Sequence, residues 1–471
     1  MNLAINFTVK SKVHYAALRI IAPCIIALAS ILLSFISVAS TYSTAYGESK
    51  AITPKDIELI ELKDITLEDA LAAFYKNNYD ILISRYEVDK SYADYIGSKM
   101  LPNPSVSFNY IGFDAHNLGR LSPGDNTQLT VRLDQLIELG GKRGLRTQAA
   151  SETLEAAKLT QRDTVRTLLA GFYTFFFNVN LDRLNLEYAK KELDNYDKIL
   201  EVAKKRHNAG FLSLIDYTKL TLARVDLANA VTTSGNQLKN DVAQFNFLTG
   251  GSIGVVPAIG QVTDAFKEIN EDDLLNTAYL NRYDLLSLLK QVKAAESNTA
   301  LSKANRIPDL TAGGEYDSFG SQGRPTIGLG FGINIPIFNR NKAEILHREA
   351  EQSQVSLQVE RTKKQIALDV RQAVNNYKSS VEIFRNFQQN HDAIMELSMR
   401  SEQAFSMGGI TVLDLLDTRK AARDFMNKYN QALVQCNLNR ELINVYTGDL
   451  KPGGLNSDEP KSYELKFGEP K

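Results

Sequence analysis

The chain has 471 residues, 44% hydrophobic and 23% charged, with a formal net charge of -1. That balance excludes a disordered chain and a helical membrane bundle, and the absence of a clustered basic face excludes nucleic-acid binding. Cysteine occurs only at Cys24 and Cys436, so no disulfide and no thiolate metal site is available once a leader is removed.

Residues 1–47 read as a signal peptide, with cleavage near 39–47. Lys10, Lys12 and Arg19 come first, the apolar run Ile20–Ala39 follows, and no acid interrupts it. The competing reading is an uncleaved anchor, since about 20 apolar residues can span a bilayer. Residues 48–65 form an N-terminal extension.

From Thr66 the chain says nearly the same thing twice. Residues 66–250 form one unit, 251–270 a bridge, 271–448 a second unit and 449–471 a polar, flexible tail. Asn78-Tyr79-Asp80-Ile81-Leu82 returns as Arg282-Tyr283-Asp284-Leu285-Leu286. Ile137 and Lys142 return as Ile337 and Lys342, and Gly210–Asp216 returns as Gly408–Asp414. Leu248-Thr249-Gly250 closes one unit and Tyr446-Thr447-Gly448 the other.

Each unit opens with a helix. Thr66-Leu67-Glu68-Asp69 has the spacing of a capping box, and the helix it starts is predicted to run to about Lys99, where Pro102 and Pro104 stop it. The period then changes to two. Strands are predicted at about 104–113 and 127–138, and again at about 309–317 and 326–337. Val106, Phe108 and Tyr110 alternate with polar residues, and so do Leu129, Val131 and Leu133. Ile327 to Ile337 places apolar residues on one face and mostly glycine on the other.

A very long helix follows each hairpin. No proline lies between Leu145 and Ala209, and the apolar spacing is a three-four heptad interrupted at Asp182. Gly210 and Gly408-Gly409 end these helices, and a shorter helix returns from each turn. Four strands of this length suit a barrel wall but cannot close one, and open edges in lipid leave backbone groups unpaired. Either the sheet is small and soluble, or several chains share a barrel. Three chains supply twelve strands.

This duplicated helix–hairpin–helix–turn–helix order resembles the TolC-like outer-membrane factor family over about Leu67 to Gly448. The run Glu138-Leu139-Gly140-Gly141-Lys142-Arg143 looks like its heavy-metal, cobalt–zinc–cadmium branch. The resemblance implies a mainly α fold with a small β part. It implies a homotrimer with a 12-stranded outer-membrane β-barrel continued by a periplasmic α-helical barrel. It also implies outer-membrane lipid around the strands, a periplasmic adaptor protein and an inner-membrane proton-driven pump. The turns are then the periplasmic tips that dock the adaptor, carrying Arg206, Gly210, Ser213, Phe405, Gly408 and Thr411. The first tip keeps the basic Arg206 but has His207 where an aromatic is usual; the second has Phe405 but Ala404 in place of the basic residue.

Asp216, Asp414 and Asp417 are candidate gating carboxylates at these tips, with Arg419 as a further member. The bland alternative is helix capping by Asp216 and Asp414. Glu138, Gly140, Gly141, Lys142 and Arg143 are expected to turn strand into helix at the membrane boundary, not to bind metal. The histidines are scattered, His391 reads as a packing residue, and no cofactor is expected. No P-loop, nucleophile triad or paired catalytic acids appear, so the chain is not expected to be an enzyme. Three functions stay open: a duct for heavy-metal cations, a duct for drugs or secreted polypeptides, and a periplasmic coiled-coil scaffold.

Overall fold

The computed structural model describes residues 64–111, 128–251, 256–257, 269–319 and 324–450. The predicted leader, the extension as far as residue 63, the loop 114–126, most of the bridge and the tail from residue 451 lie outside the described residues. The first half comprises β1 (Asp64–Ile65), α1 (Leu67–Asn77), α2 (Tyr79–Lys99), β2 (Ser105–Ile111), β3 (Gln128–Ile137), α3 (Lys142–Asn208) and α4 (Leu214–Leu248). The second comprises β4 (Val256–Pro257), α5 (Glu271–Asn281), α6 (Tyr283–Ala304), β5 (Leu310–Phe319), β6 (Thr326–Ile333), α7 (Lys342–Met407) and α8 (Val412–Thr447). β1 and β4 pair in parallel.

The helix predicted from Thr66 to Lys99 is broken at Asn78, whose backbone is extended. The Asn78 side chain accepts from the Ile81 N–H at 3.0 Å and donates to the Leu248 carbonyl at 2.8 Å. One residue thus caps α2 and fixes it to the end of α4. Arg282 sits at the equivalent break between α5 and α6 and supplies the anchoring without a side-chain cap. Its guanidinium donates to the Tyr446 carbonyl at the end of α8 and pairs with Asp284 and Asp369. The Thr-Gly closing each unit belongs to this joint. Gly250 and Gly448 have φ of +67° and +71°, and a Cβ would lie 2.3 Å from the Asn77 carbonyl oxygen or 3.0 Å from that of Asn281. Only glycine fits both the backbone and the space.

The main sheet is antiparallel in the order β2-β3-β5-β6. The two hairpins have one register. Val106 faces Leu133 in the first, and Leu310 faces Ile333 in the second. Alternation gives the sheet one apolar side and one polar side. Phe108, Leu133, Ile327, Leu329 and Phe331 are exposed on the apolar side. Across the polar side Arg132 pairs with Asp134 and Glu315, while Asp317 accepts from Thr130 and Gln128. β6 ends at Ile333, not at the predicted residue 337. β5 begins opposite Ile333, so within the chain residues 334–337 have no strand to pair with, and Pro336 has no N–H to donate. β5 runs to Phe319, two residues past the predicted end.

With 67 residues, α3 is about 100 Å long at 1.5 Å per residue. It packs against α4 on one side and α8 on the other, and α8 packs against α7, so the long helices lie in the order α4-α3-α8-α7. Near their middle, Phe74 of α1, Phe172 and Phe176 of α3 and Phe245 of α4 form an aromatic cluster with centroids 5.0–6.1 Å apart. Contacts of this kind add about 0.5–1.5 kcal/mol each beyond their buried area. His391 packs on the Tyr429 ring at 4.8 Å.

Asp182, the break in the α3 heptad, has an oxygen buried without a hydrogen-bond partner. Burial first, and the Asp241 carboxyl beside it second, raise its pKa from 3.8 to about 7. The folded chain therefore holds this proton more tightly than the unfolded one. The stability it contributes is fully present below pH 3.8 and is lost as pH rises through about 7. Asp182→Asn keeps the shape without the charge. Thermal melts should show the variant gaining on the wild type as pH is raised from 5 to 8; parallel pH profiles would refute the assignment.

Candidate functional site: the helical tips and the strand-to-helix junction

The two tips are built alike. At the end of α3 the Phe211 N–H donates to the Arg206 carbonyl at 2.8 Å, and at the end of α7 the Gly409 N–H donates to the Ala404 carbonyl at 2.8 Å. Gly210 and Gly408 take the left-handed conformation that such closures need. Ser213 then caps α4, its hydroxyl accepting from the Asp216 N–H at 3.0 Å and donating to the Asp216 carboxylate at 2.8 Å. Thr411 and Asp414 form a complete capping box at the start of α8. Hydrogen bonding from the Ser213 hydroxyl, with Lys219 adding to it, holds the Asp216 carboxyl below the usual range. The Thr411 hydroxyl and N–H do the same for Asp414. Asp417 is exposed one turn further along α8.

The structure joins the halves of the motif that the sequence divides between the tips. Arg206 donates to the Phe405 carbonyl and its guanidinium lies 5.1 Å from the centre of the Phe405 ring. The basic residue of the first tip and the aromatic of the second therefore make one contact. A Cβ on Gly408 would lie 3.3 Å from the Arg206 guanidinium. Phe405 is only 2% exposed and sits in a core with Tyr196, Ile199, Leu220, Val412 and Leu415. His207 stacks on Tyr217 with ring centres 5.3 Å apart.

Phe405 therefore offers no outward surface, and Ser213, Thr411 and Arg206 are already engaged. The tip surface that is free in the chain is apolar: Phe211 at 77% and Met407 at 85% exposure, with Leu214, Ile215 and Leu413. The available signal was a set of large apolar residues flanking the caps, where no core can reach them.

Arg419 is not part of an exposed ring. It is 5% exposed, grips Glu192 of α3 at 3.0 and 3.1 Å and reaches Glu402 of α7 at 2.7 Å. It ties three of the four long helices together behind the tips.

At the other end, β3 turns into α3 through Glu138–Arg143. Gly140 and Gly141 both have φ near +70°, and a Cβ on Gly140 would strike Ile307 at 2.9 Å. In the second half the left-handed residue is Asn341, at φ 58°, whose side chain donates to the Ser302 carbonyl at 2.9 Å. Glu138 pairs with Arg146, and buried Lys142 reaches Asp309 at 2.7 Å. Asp309 also accepts from the Leu139 N–H. Arg143 donates to the Lys99 carbonyl. The junction is thus fully occupied in holding strand to helix. Among the described residues no cluster of His, Cys, Asp and Glu is placed to hold a metal ion, and no helix is long and apolar enough to cross a membrane.

Elongated paired helices that end in capped turns, joined to an open sheet with one exposed apolar side, have the architecture of a membrane-seated tubular protein. The chain belongs to the family described as outer membrane efflux protein, whose model matches residues 71–251 and 274–448. Its fold class and location follow: a mainly α chain with a small sheet, forming a passive outer-membrane channel that extends into the periplasm and not an enzyme. It is 25% identical to the cobalt-zinc-cadmium resistance protein CzcC of Cupriavidus metallidurans over 62% of this chain and 68% of that protein. It is 24% identical to the outer membrane protein TolC of Escherichia coli over 75% of this chain and 76% of that one. Among solved structures, CusC superposes with a TM-score of 0.69 at 17% identity, covering 86% of this chain and 98% of CusC.

Removing the Arg419 side chain leaves Glu192 buried and unpaired, a change that costs about 3–5 kcal/mol in comparable sites. Arg419→Ala should lower the melting temperature well below that of Asp417→Asn, and Arg419→Leu with Glu192→Leu should recover most of the loss. If Arg419→Ala melts like the wild type, the three-helix tie does not hold the tips.

Proposed function

We propose that this chain is the exit duct of a tripartite efflux system, three copies closing one channel, with heavy-metal cations as its cargo. One observation carries the duct: the four-stranded sheet exposes its apolar side and leaves β2 and β6 as open edges. An open edge is intolerable in hydrocarbon, where each unpaired backbone group costs several kcal/mol. Copies of the same sheet remove every edge. The apolar side then meets lipid, and the polar side lines the water path.

At the other end the exposed apolar tips, with Phe211 and Met407 foremost, dock a periplasmic adaptor that links the duct to an inner-membrane proton-driven pump. The duct supplies no energy itself. Asp216, Asp414 and Asp417, repeated in each copy, place carboxylates at the tube's inner end, where they attract cations and make the closing contacts that keep the resting tips narrow.

The cargo rests on the similarity to CzcC and on the Glu138–Arg143 run. A second reading, organic cargo, is favoured by relatives named for other substrates. The toluene efflux pump protein TtgF of Pseudomonas putida, for example, is 25% identical over 63% of this chain.

A strain lacking this chain should become sensitive to cobalt, zinc or cadmium salts and keep its tolerance of solvents and drugs. The reverse pattern would replace metals with organic compounds. In planar bilayers, Asp216→Asn with Asp414→Asn should raise the resting conductance, because asparagine still accepts the capping hydrogen bonds while the charge is gone. Unchanged conductance would remove these residues from gating.

A further inference from the structure

The helix ends that border the sheet lie in one row beneath it. Arg143, at the start of α3, donates to the Lys99 carbonyl at the end of α2. Two residues before α3, a Cβ on Gly140 would lie 2.9 Å from Ile307 and 3.5 Å from the Ala304 carbonyl at the end of α6. Asn341, just before α7, donates to the Ser302 carbonyl of α6 at 2.9 Å. These contacts link the foot of β2, through the junctions of β3 and β5, to the foot of β6.

Charge in this row is one-sided. Its carboxylates are engaged within the chain: Glu138 with Arg146, Asp309 with Lys142 and Glu344 with Arg348. Lys303 is paired with Glu349. Among the described residues, five exposed cations of the row have no carboxylate partner: Lys99, Arg143, Arg306, Arg340 and Lys342. Helix stability does not account for all of them. Lys99 suits the C-terminal end of α2, but Arg143 and Lys342 stand in the first turns of α3 and α7, where the helix dipole favours acids.

The surface next to these cations, on the sheet side, is apolar. Leu101, Ile137, Ile307, Ile335 and Ile337 are exposed, and Phe338, two residues before Arg340, is fully so. An apolar band edged with cations complements an amphiphile of the opposite charge: acyl chains cover the band while the headgroup meets the basic edge.

We propose that this row binds the headgroups of anionic phospholipids in the leaflet of the outer membrane that faces the periplasm. The proposal rests on the duct described above, whose apolar sheet side meets lipid, and it names the lipid that the foot of the tube selects. A zwitterionic headgroup brings an ammonium that the five cations repel; a headgroup of net negative charge brings none. Three copies set three such rows around the tube at one depth, and the bound headgroups fix how far it sinks into the membrane.

The chain contains no tryptophan, so a single introduced indole reports alone. Full-chain trimers carrying Phe338→Trp are placed in bilayers of phosphatidylglycerol and phosphatidylethanolamine, with quenching bromines on the acyl chains of one lipid at a time. Phosphatidylglycerol should be enriched about fivefold at the indole over its share of the bilayer, and about 1 M salt should bring that ratio close to one. Adding Arg143→Gln, Arg306→Gln, Arg340→Gln and Lys342→Gln together should do the same at low salt. The salt arm keeps every cation in place, so it decides the matter if the fourfold variant does not assemble. Equal quenching by the two lipids in trimers intact by native mass, or a preference that survives high salt, overturns the lipid site and leaves the duct standing. Displacement by millimolar glycerol phosphate overturns it too, in favour of a soluble phosphate. Ile327→Trp, far up the apolar side of β6, reports on the duct itself. If neither indole is quenched by either lipid, the strands are not in the bilayer, and the duct and the lipid site fall together.

Discussion

The unpaired edge of the sheet governs this molecule. A β-strand offers hydrogen-bonding groups on both sides, and lipid can satisfy none of them. Among the described residues the main sheet has four strands and two open edges, so it cannot sit in lipid alone in this conformation. The long helices follow from the same constraint. Their apolar stripes are covered on the inner pairs, α3 with α4 and α8 with α7, while α4 and α7 stand at the ends of the row. Sheet and helices therefore end at matching places, and a contact that joins one also joins the other.

The duplication makes this arrangement intelligible. Asn78 and Arg282 differ in chemistry, yet each breaks a helix and anchors it to the carbonyl end of a return helix. Gly141 and Asn341 likewise differ, yet both take the left-handed backbone that turns strand into helix. The geometry has been kept while its means have diverged. The tips show the same economy, because Arg206 from one half and Phe405 from the other make a single contact where each half alone lacks a member.

Much of the fold was legible because its signals are periodic. The alternation from Val106 to Tyr110, the heptads of α3 and the glycines at 210 and 408 each follow from local backbone chemistry. The break at Asn78 was not legible, since the partner that rewards it, the Leu248 carbonyl, is 170 residues away. The end of β6 was misjudged for a related reason: the apolar pattern continues to Ile337, but pairing depends on where the opposite strand begins. At the tips, charge and glycine drew attention to Asp216, Asp414 and Phe405. The first two also cap the return helices, and the core hides the third. Arg419 looked like a surface charge because nothing near it in sequence reveals Glu192, a residue 227 positions earlier.

The two tips, though built alike, expose unequal apolar surfaces. Phe211, Leu214 and Ile215 crowd the first, whereas Met407 and Leu413 thinly furnish the second. A rim assembled from whole chains must then alternate between strong and weak seats. A docking partner built of identical subunits would then meet two kinds of seat and hold them with different lifetimes.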